Sequence, residues 1–435
     1  MENSSTSSST RGSLLMAIAF FGIFVYGLLT ALPGTVIPDL ERGKFLPNDA
    51  VVANFLLINA IGAVLAYVIS GPITDKIGKK FTLSMGAVLV IAAMAGFALV
   101  VSRVEPSSAR FLVFLCGFVL GIGANAIVSA GHALVGDVAV SWRDAALNLL
   151  DICFGLGLST LPLIFNPQAA LSQIFWILAA AALALVLVVV VPKFPKPSHP
   201  ESFPFSEAKG LFGSLSFWLL AIALFMYVGS EVAVGKWVTT LLQKDSQLLT
   251  SFGLNEQMQN MARTSADFFK EDALGKNVAD FALKTLSWFG FSLMIGRLIS
   301  SFLLGVAKVN SFLLLAVGSA ITAIGLGLAF NSTSPEAVRW GVFASGIGMG
   351  PIFPTSVGLA SAIAPRIAGT AMSWVMGIGF AGLLVIPPAV GYISEAVGGE
   401  KGDVRKGLMF VFIATLVMLL LHIGLMIRER KRSNV

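Results

Sequence analysis

Long apolar blocks constrain this chain more than any other feature of its sequence. Two of them, residues 81–101 and 171–191, are each close to the ~20 residues that a helix needs to cross a bilayer. Since lipid offers no partners for backbone N–H and C=O groups, such blocks must form helices. Only 12% of the residues are charged, about half the share found in soluble domains. The sequence therefore predicts an all-α, polytopic membrane protein.

Twelve candidate spans can be read along the chain. An even number places both termini on one side of the membrane. More lysines and arginines fall in the segments on the side of the termini, so the positive-inside rule predicts that both termini are cytoplasmic. The spans lie near residues 14–38, 51–70, 81–101, 109–135, 145–165, 171–191, 213–240, 283–306, 311–330, 339–360, 366–396 and 403–427.

A proline-rich polar segment divides the spans into six and six, which predicts two six-helix bundles joined by a linker. The long, mixed-charge segment 243–283 predicts an extracellular loop with short helices; a disordered insert is the alternative. The predicted order is a cytoplasmic tail 1–13, an N-terminal bundle 14–191, a cytoplasmic linker 192–212, a C-terminal bundle 213–427 and a cytoplasmic tail 428–435.

Glycines recur in the same order in the two halves of the chain. Three pairs of glycines in the first half have counterparts at a similar distance along the second half. Repeated halves joined by a central linker are typical of secondary transporters, which bind substrate between the halves. The paired glycines are Gly62 and Gly71 with Gly296 and Gly305, Gly121 and Gly123 with Gly346 and Gly348, and Gly155 and Gly157 with Gly377 and Gly379.

The segment "GPITDKIGKK", residues 71–80, joins the second and third spans on the predicted inner side. It matches the pattern G-x-x-x-D-(R/K)-x-G-(R/K)-(R/K), which is the signature loop of the major facilitator superfamily. The chain resembles this superfamily over its whole length. The resemblance implies the two-bundle fold and a loop that latches the cytoplasmic side; a plain basic loop is the alternative. The second half has Lys308 but no matching Asp after Gly305. The implied gating residues of the loop are Gly71, Asp75, Lys76, Gly78, Lys79 and Lys80.

Two further stretches resemble the fucose–galactose–glucose:proton symporter branch of that superfamily. They are "YVGSEVAVGKW" at 227–237 and "LNLLDICFG" at 147–155. The resemblance implies a hexose or a similar neutral polyol as substrate. The branch uses carboxylates in its first and fourth helices for protons, but here residues 33–35 read Pro-Gly-Thr and 110–136 contain no Asp or Glu. Coupling must therefore use other groups, or the protein is a facilitator.

Ionisable groups within apolar spans are candidate functional groups, because each costs at least about 2.5–3.5 kcal/mol to insert. Asp151 is interpreted as a proton carrier or an acceptor for sugar hydroxyls, with a structural role as the alternative. The hairpin of the fourth and fifth spans brings His132 to a similar depth, so the two could relay a proton. A lone interfacial histidine is the other interpretation. Asn125 and Asn148 are neutral groups suited to sugar hydroxyls.

The seventh and eighth spans supply the remaining candidates. Tyr227 and Glu231 are predicted to contact substrate, and Glu231 is also a candidate for proton coupling. Lys236 is predicted to extend to the outer surface. Trp237 is either an interfacial anchor or a stacking surface for a sugar ring. Arg297 is predicted to meet a carboxylate or a helix C-terminus between helices, in a structural or gating role.

These features favour a secondary active or facilitative transporter of a small polar solute, a sugar or polyol, that works by alternating access. The alternatives are a proton-coupled exporter of drugs or other organic molecules, which the absence of a Gly-Pro dipeptide in residues 155–162 disfavours, and a receptor or scaffold. No constellation of an enzyme or of a cofactor site is found. The expected partners are the substrate, protons as the candidate coupling ion, and the lipid bilayer. The net charge of +6 is ascribed to positive inner loops and not to a nucleic-acid partner. A monomer in a cell inner membrane is expected.

Overall fold

All regular elements of the described residues are helices. The computed structural model describes residues 2–139, 143–166, 169–194, 211–265, 267–363, 368–399 and 402–433. The helices are α1 Glu2–Arg42, α2 Asp49–Lys76, α3 Lys79–Arg103, α4 Pro106–Val138, α5 Arg143–Ile164, α6 Ser172–Val190, α7 Leu215–Lys244, α8 Ser246–Ser251, α9 Glu256–Thr264, α10 Phe268–Glu271, α11 Ala273–Gly305, α12 Ser311–Asn331, α13 Pro335–Met349, α14 Ile352–Ile363, α15 Ala368–Ala381, α16 Ile386–Gly398 and α17 Val404–Ser433.

The predicted fold class is confirmed by the length and apolar character of these helices. Within the described residues, 11 helical segments are long and apolar enough to cross a membrane. A shorter apolar helix, Leu149–Ile164, corresponds to the fifth predicted span. Every one of the twelve predicted spans therefore has a helical counterpart.

Four predicted spans differ clearly from the helices observed. The first was predicted to begin at residue 14, after a tail, but α1 begins at Glu2. The eighth was predicted to begin at residue 283, but α11 begins ten residues earlier because Asp272 caps it, accepting bonds from the N–H groups of Leu274 and Gly275. The tenth span is divided between α13 and α14 at Gly350 and Pro351. The eleventh is divided between α15, a 3₁₀ turn at Gly382–Leu384 and α16. The first break contains Pro351 and the second is followed by a proline pair, and proline cannot donate a helical hydrogen bond.

The segment predicted as a loop at 243–283 contains three short helices, α8, α9 and α10, before α11 begins. Asp245 caps α8 through the N–H of Leu248, and Asn255 caps α9 through that of Met258. Buried apolar side chains hold the segment against α11, including Phe268 and Phe269. The prediction of short helices is confirmed, and the alternative of a disordered insert is wrong. The side of the membrane on which the segment lies stays a prediction.

The chain forms two compact units. Unit 1 comprises Met1–Leu32 and Ile58–Glu201, and unit 2 comprises Pro33–Leu57 and Ser202–Val435. The C-terminal end of α1 and the N-terminal part of α2 thus belong to unit 2. Most of the predicted linker 192–212 lies outside the described residues, so the predicted domain boundaries stay predictions.

In unit 1, glycines on α4 allow two neighbouring helices to approach closely. Gly121 lies against the backbone at Asn59 of α2, and Gly62 of α2 lies against the backbone of Phe118. Two residues on, Gly123 lies against the backbone of Gly86 of α3. A Cβ at any of these positions would collide with backbone atoms, so the helices meet through small residues.

Unit 2 repeats this arrangement on α13. Gly296 of α11 lies against the backbone of Ile347, and Gly346 lies against Ser292 and Phe289 of α11. Two residues beyond Gly346, Gly348 lies against the backbone of Gly318 of α12. Three recurring pairs, Gly62 with Gly296, Gly121 with Gly346 and Gly123 with Gly348, therefore occupy equivalent helix crossings, whereas Gly305 and Gly377 meet no neighbouring atom within 4 Å. The three shared crossings support the predicted internal repeat.

Candidate functional site

His132 and Asp151 form a pair on α4 and α5 of unit 1. Nε2 of His132 lies 3.4 Å from Oδ1 of Asp151, and Nδ1 lies 3.0 Å from the carbonyl oxygen of Val128. The predicted proximity of the two side chains is confirmed. Both ring nitrogens face acceptors, and a neutral imidazole has only one N–H to donate. The arrangement is satisfied when one further proton lies between Nε2 and the carboxylate.

Other polar side chains lie around this pair. Asn125 is buried on α4, where its Nδ2 donates to the carbonyl of Gly121 at 2.9 Å. The hydroxyl of Tyr26 donates to Oδ1 of Asn125 at 3.5 Å. Tyr67 on α2 lies close enough to Tyr26 and Asp151 to interact electrostatically with both. Asn148 is on α5, but its side chain lies outside the described residues.

Tyr26 and Tyr67 were missed in the sequence. A signal for them was present in the composition, because the chain has 33 phenylalanines but only 4 tyrosines. A tyrosine in an apolar span brings a hydroxyl that needs a partner. Three of the four tyrosines, Tyr26, Tyr67 and Tyr227, lie in spans beside candidate polar residues.

Unit 2 has a cluster of its own, formed by Tyr227, Glu231 and Arg297. Nη2 of Arg297 on α11 lies 4.0 Å from Oε1 of Glu231 on α7, and both side chains are buried. Tyr227 lies one turn before Glu231, is fully buried and interacts with both charged groups. Its ring lies 6.5 Å from that of Phe353 on α14. The prediction that Arg297 meets a carboxylate is confirmed.

Two predictions about the end of α7 are wrong. Lys236 does not extend to the surface, because only 7% of the residue is exposed. Trp237 cannot act as an interfacial anchor, because it is fully buried and its Nε1–H donates to the carbonyl of Pro387 at 2.9 Å. Both side chains lie on a face of α7 that is covered by protein, which position along the helix could not reveal. The stacking alternative for Trp237 remains a prediction.

Three buried hydroxyl groups near the unit 2 cluster could form hydrogen bonds with a ligand. Ser230 on α7 and Thr355 and Ser356 on α14 are buried, and their hydroxyls bond to no group in the described part of the chain. The helix α14, which also carries Phe353, packs against α7. Such groups suit a ligand with several hydroxyls. The described residues bring no three His, Cys, Asp or Glu side chains together as a metal site would require.

The predicted gating loop lies between α2 and α3. Gly78 has a φ of 114°, which favours glycine, and precedes the first residue of α3. Nζ of Lys79 lies 2.5 Å from Oδ2 of Asp137 near the end of α4. Lys80 donates to the carbonyls of Val190 and Pro192 beyond α6, at 2.6 and 3.0 Å. The loop thus binds the ends of two other helices of unit 1.

The remaining residues of the motif, Gly71, Asp75 and Lys76, lie in the last turns of α2. Their side chains are outside the described residues. Their gating role stays a prediction, as does that of Gly78, Lys79 and Lys80.

The sequence matches a known protein family. A family model described as Major Facilitator Superfamily matches residues 19–261, more than half of the chain. The chain belongs to the major facilitator superfamily. This membership confirms the resemblance inferred from the loop motif. It also shows that the protein is a multi-pass membrane transporter and not an enzyme.

Several known proteins are similar to this chain over most of its length. A TsgA homolog of Serratia proteamaculans is 22% identical over 431 residues, covering 96% of this chain and 97% of its own. The protein TsgA of Escherichia coli O157:H7 is 21% identical, with 96% of both chains covered. The bypass of stop codon protein 6 of Saccharomyces cerevisiae is 24% identical, covering 88% of this chain and 78% of its own.

Solved structures of major facilitator transporters share the fold. A D-xylose–proton symporter has a TM-score of 0.71 at 14% identity, with 95% of this chain and 97% of the other covered. The nucleoside transporter NupG has a TM-score of 0.69 at 13% identity, with 95% and 99% covered. The fucose:proton symporter FucP of E. coli has a TM-score of 0.61 at 14% identity, with 95% and 99% covered. Identities this low show the fold alone.

Proposed function

We propose that this protein is a secondary active or facilitative transporter of a small, neutral, hydroxyl-rich solute, a sugar or polyol, that works by alternating access. The observation that carries the proposal is the pair of polar clusters, one in each unit, on helices that are mostly apolar. Each combines a carboxylate, a cationic or titratable base and tyrosine hydroxyls. Groups of this kind are expensive in a membrane and face protein or water where they occur.

The chemistry of the clusters supports a polyhydroxylated ligand. In unit 1, Asn125, Asn148 and Asp151 are the proposed binding groups, with amides that donate and accept and a carboxylate that accepts from hydroxyls. In unit 2, Tyr227 and Glu231 fill the same role, and Trp237 contributes its ring, since its N–H is already used. The solutes named for the three similar structures, xylose, fucose and nucleosides, all carry several hydroxyls.

Protons are the proposed coupling ion, and the His132–Asp151 pair supports this role best. One proton is needed between the imidazole and the carboxylate, so loss or gain of that proton changes the charge at the binding groups. Glu231 is the second candidate, and its buried partner Arg297 lies 4.0 Å away. We assign Arg297 to gating, because it ties α7 to α11.

The loop between α2 and α3 is proposed as a latch, through Gly71, Asp75, Lys76, Gly78 and the two following lysines, Lys79 and Lys80. The bonds from Lys79 and Lys80 to the ends of α4 and α6 support it. The protein is further proposed to be a monomer in a cell inner membrane, with both termini cytoplasmic. The excess of basic residues on the side of the termini supports this orientation.

Solute counterflow in proteoliposomes tests the proposal. Vesicles loaded with an unlabelled hexose, pentose, polyol or nucleoside should take up the same labelled solute. Glu231→Gln should reduce this exchange at least about tenfold, the effect of about 1.4 kcal/mol of lost binding. Asp280→Asn is the matched control, because Asp280 forms an exposed ion pair with Lys284 outside both clusters. If no member of the panel exchanges, the assigned solute class is wrong.

The proton arm needs a separate comparison. Asp151→Asn should abolish uptake driven by a proton gradient while counterflow of the same solute continues, because the amide oxygen still accepts from solute hydroxyls but carries no proton. His132→Asn should act in the same direction, because it removes the base that shares the proton. Equal loss of driven uptake and counterflow in Asp151→Asn would show that Asp151 binds solute and does not carry the proton.

A further inference from the structure

A further group of buried carboxylates lies in unit 2, around the end of α7. Nζ of Lys244, at the end of α7, lies 2.7 Å from Oε1 of Glu41 and 2.7 Å from Oδ1 of Asp49. Glu41 is in the last turn of α1, and Asp49 is the first residue of α2. The Asp49 and Glu41 side chains are 1% and 4% exposed. We call these three residues the lysine–carboxylate cluster.

The charges of the cluster do not balance. Two buried carboxylates share one ammonium, which leaves one negative charge in excess if both are ionised. Two carboxylates in one site do not both ionise readily, and one proton is then shared by the pair. The imbalance marks this cluster as different from the ion pair between Asp245 and Arg405 in the same unit, where one carboxylate meets one guanidinium.

One oxygen of the cluster shows where a proton belongs. Oε2 of Glu41 is buried and receives no hydrogen bond from any group that the structure describes. Asp49, by contrast, has both oxygens engaged: Oδ1 by Lys244 and Oδ2 by the hydroxyl of Ser394. A buried carboxylate oxygen without a donor is costly, whereas a protonated carboxyl becomes a donor itself, and the Asp49 carboxylate lies within hydrogen-bonding reach of Glu41 as the acceptor.

The dipoles of α1 and α2 also favour the proton on Glu41 over Asp49. Glu41 lies at the C-terminal end of α1, where the helix dipole opposes a negative charge. Asp49 lies at the N-terminal end of α2, where the dipole stabilises one. From these contacts we infer that Glu41 and Asp49 form a proton-binding site, in which Glu41 holds the proton on Oε2 and Asp49 stays ionised against Lys244.

The other charged groups on the elements around the site are engaged by partners of their own. Within α1, Arg42 is close to Glu41, but its guanidinium bonds to Asp39 at 2.7 Å and to Gln243. On α16, the carboxylate of Glu395 accepts from the N–H of Ala50. The remaining charged groups nearby are Arg263 of α9, which donates to the carbonyl of Lys244 and to Ser246, Lys270 of α10, which acts on Asp39, and the Asp245–Arg405 pair.

The site ties proton binding to the packing of α1 and α2 against α7. With the proton present, the cluster has no net charge and packs stably. Without it, two carboxylates compete for one ammonium, and the packing weakens. Separation of these helices would expose both carboxylates to water, where Glu41 would release its proton. The inference does not depend on the identity of the solute.

Infrared spectroscopy of the purified full-length protein tests the inference. A protonated carboxyl gives a C=O stretching band that is distinct from that of a carboxylate and shifts in D₂O. At neutral pH, Glu41→Gln should remove the intensity of one carboxyl from this band. Asp49→Asn should remove the same intensity although Glu41 remains, because one carboxylate and one ammonium then balance and Glu41 ionises.

Asp245→Asn is the matched control and should leave the band unchanged, because Asp245 is in a balanced pair. A band that survives Glu41→Gln undiminished would overturn the inference. A band that is lost in Glu41→Gln but kept in Asp49→Asn would overturn the sharing of one proton between the two carboxyls. Should Glu41→Gln fail to fold, the band of the Asp49→Asn variant tests the inference alone: loss of the band supports it, and an undiminished band overturns it.

Discussion

The ion pair between Glu231 and Arg297 yields a quantitative prediction for Arg297→Met. This change removes the guanidinium but keeps an apolar side chain of similar length, so Glu231 is left buried without its cation. At the observed 4.0 Å, two unit charges attract each other by about 4 kcal/mol for an effective dielectric constant of about 20. Removal of one partner of a buried pair typically costs about 3–5 kcal/mol, which agrees. We expect Arg297→Met to destabilise the protein by roughly this amount.

The assay is thermal unfolding of the detergent-solubilised protein, measured for a double-mutant cycle. Arg297→Met and Glu231→Gln should each lower the apparent melting temperature by several degrees. The double variant should recover most of the loss, because it contains no uncompensated charge. If Arg297→Met melts at the temperature of the unchanged protein, or if the double variant loses the sum of both single effects, the two residues are not coupled and the account of the unit 2 cluster is wrong.

Two other substitutions test the fold and the predicted latch. Gly62→Leu should destabilise unit 1 by about 1–3 kcal/mol or more, because the new side chain meets the backbone of α4. Gly424→Ala, where a Cβ meets no atom within 4 Å, should melt at the unchanged temperature, and equal melting of the two variants would contradict the close helix crossing. Lys79→Met should cost only about 1 kcal/mol of stability, since Asp137 is 35% exposed, yet it should slow counterflow. Asp137→Asn should reproduce the slowing, and full exchange in both variants would exclude Lys79 from the latch.

Much of the fold could be predicted because each membrane helix corresponds to a long apolar block in the sequence. Three of the glycine pairs that recur in both halves mark equivalent helix crossings, as at Gly62 and Gly296. Proximity could also be predicted where the chain itself sets it. The hairpin of α4 and α5 places His132 beside Asp151, and the structure shows the two in contact.

The lateral direction of a side chain could not be predicted in the same way. The hydropathy of α7 is high all around the helix, so the sequence did not show that Lys236 and Trp237 face protein. The lysine–carboxylate cluster was missed for another reason. Glu41 and Lys244 are far apart in the sequence and lie at the ends of spans, where charges are ordinary. Their burial follows from tertiary packing alone.

The breaks in the tenth and eleventh spans could have been predicted. Pro351 lies in the first break, and Pro387 and Pro388 follow the second. Proline within an apolar span indicates an interrupted helix, and interrupted helices in transporters often border the binding site. The tenth and eleventh spans were instead predicted as the continuous helices 339–360 and 366–396, without using these prolines.

We propose that the polar clusters bind a hydroxyl-rich solute, and a thermal-shift screen of the purified protein tests this proposal most directly. A panel of hexoses, pentoses, polyols and nucleosides should contain a solute that raises the melting temperature of the unchanged protein. The same solute should not stabilise Asn125→Ala in unit 1 or Glu231→Gln in unit 2, while Asp280→Asn responds normally. Stabilisation that persists in both cluster variants would place the binding site elsewhere and contradict the account.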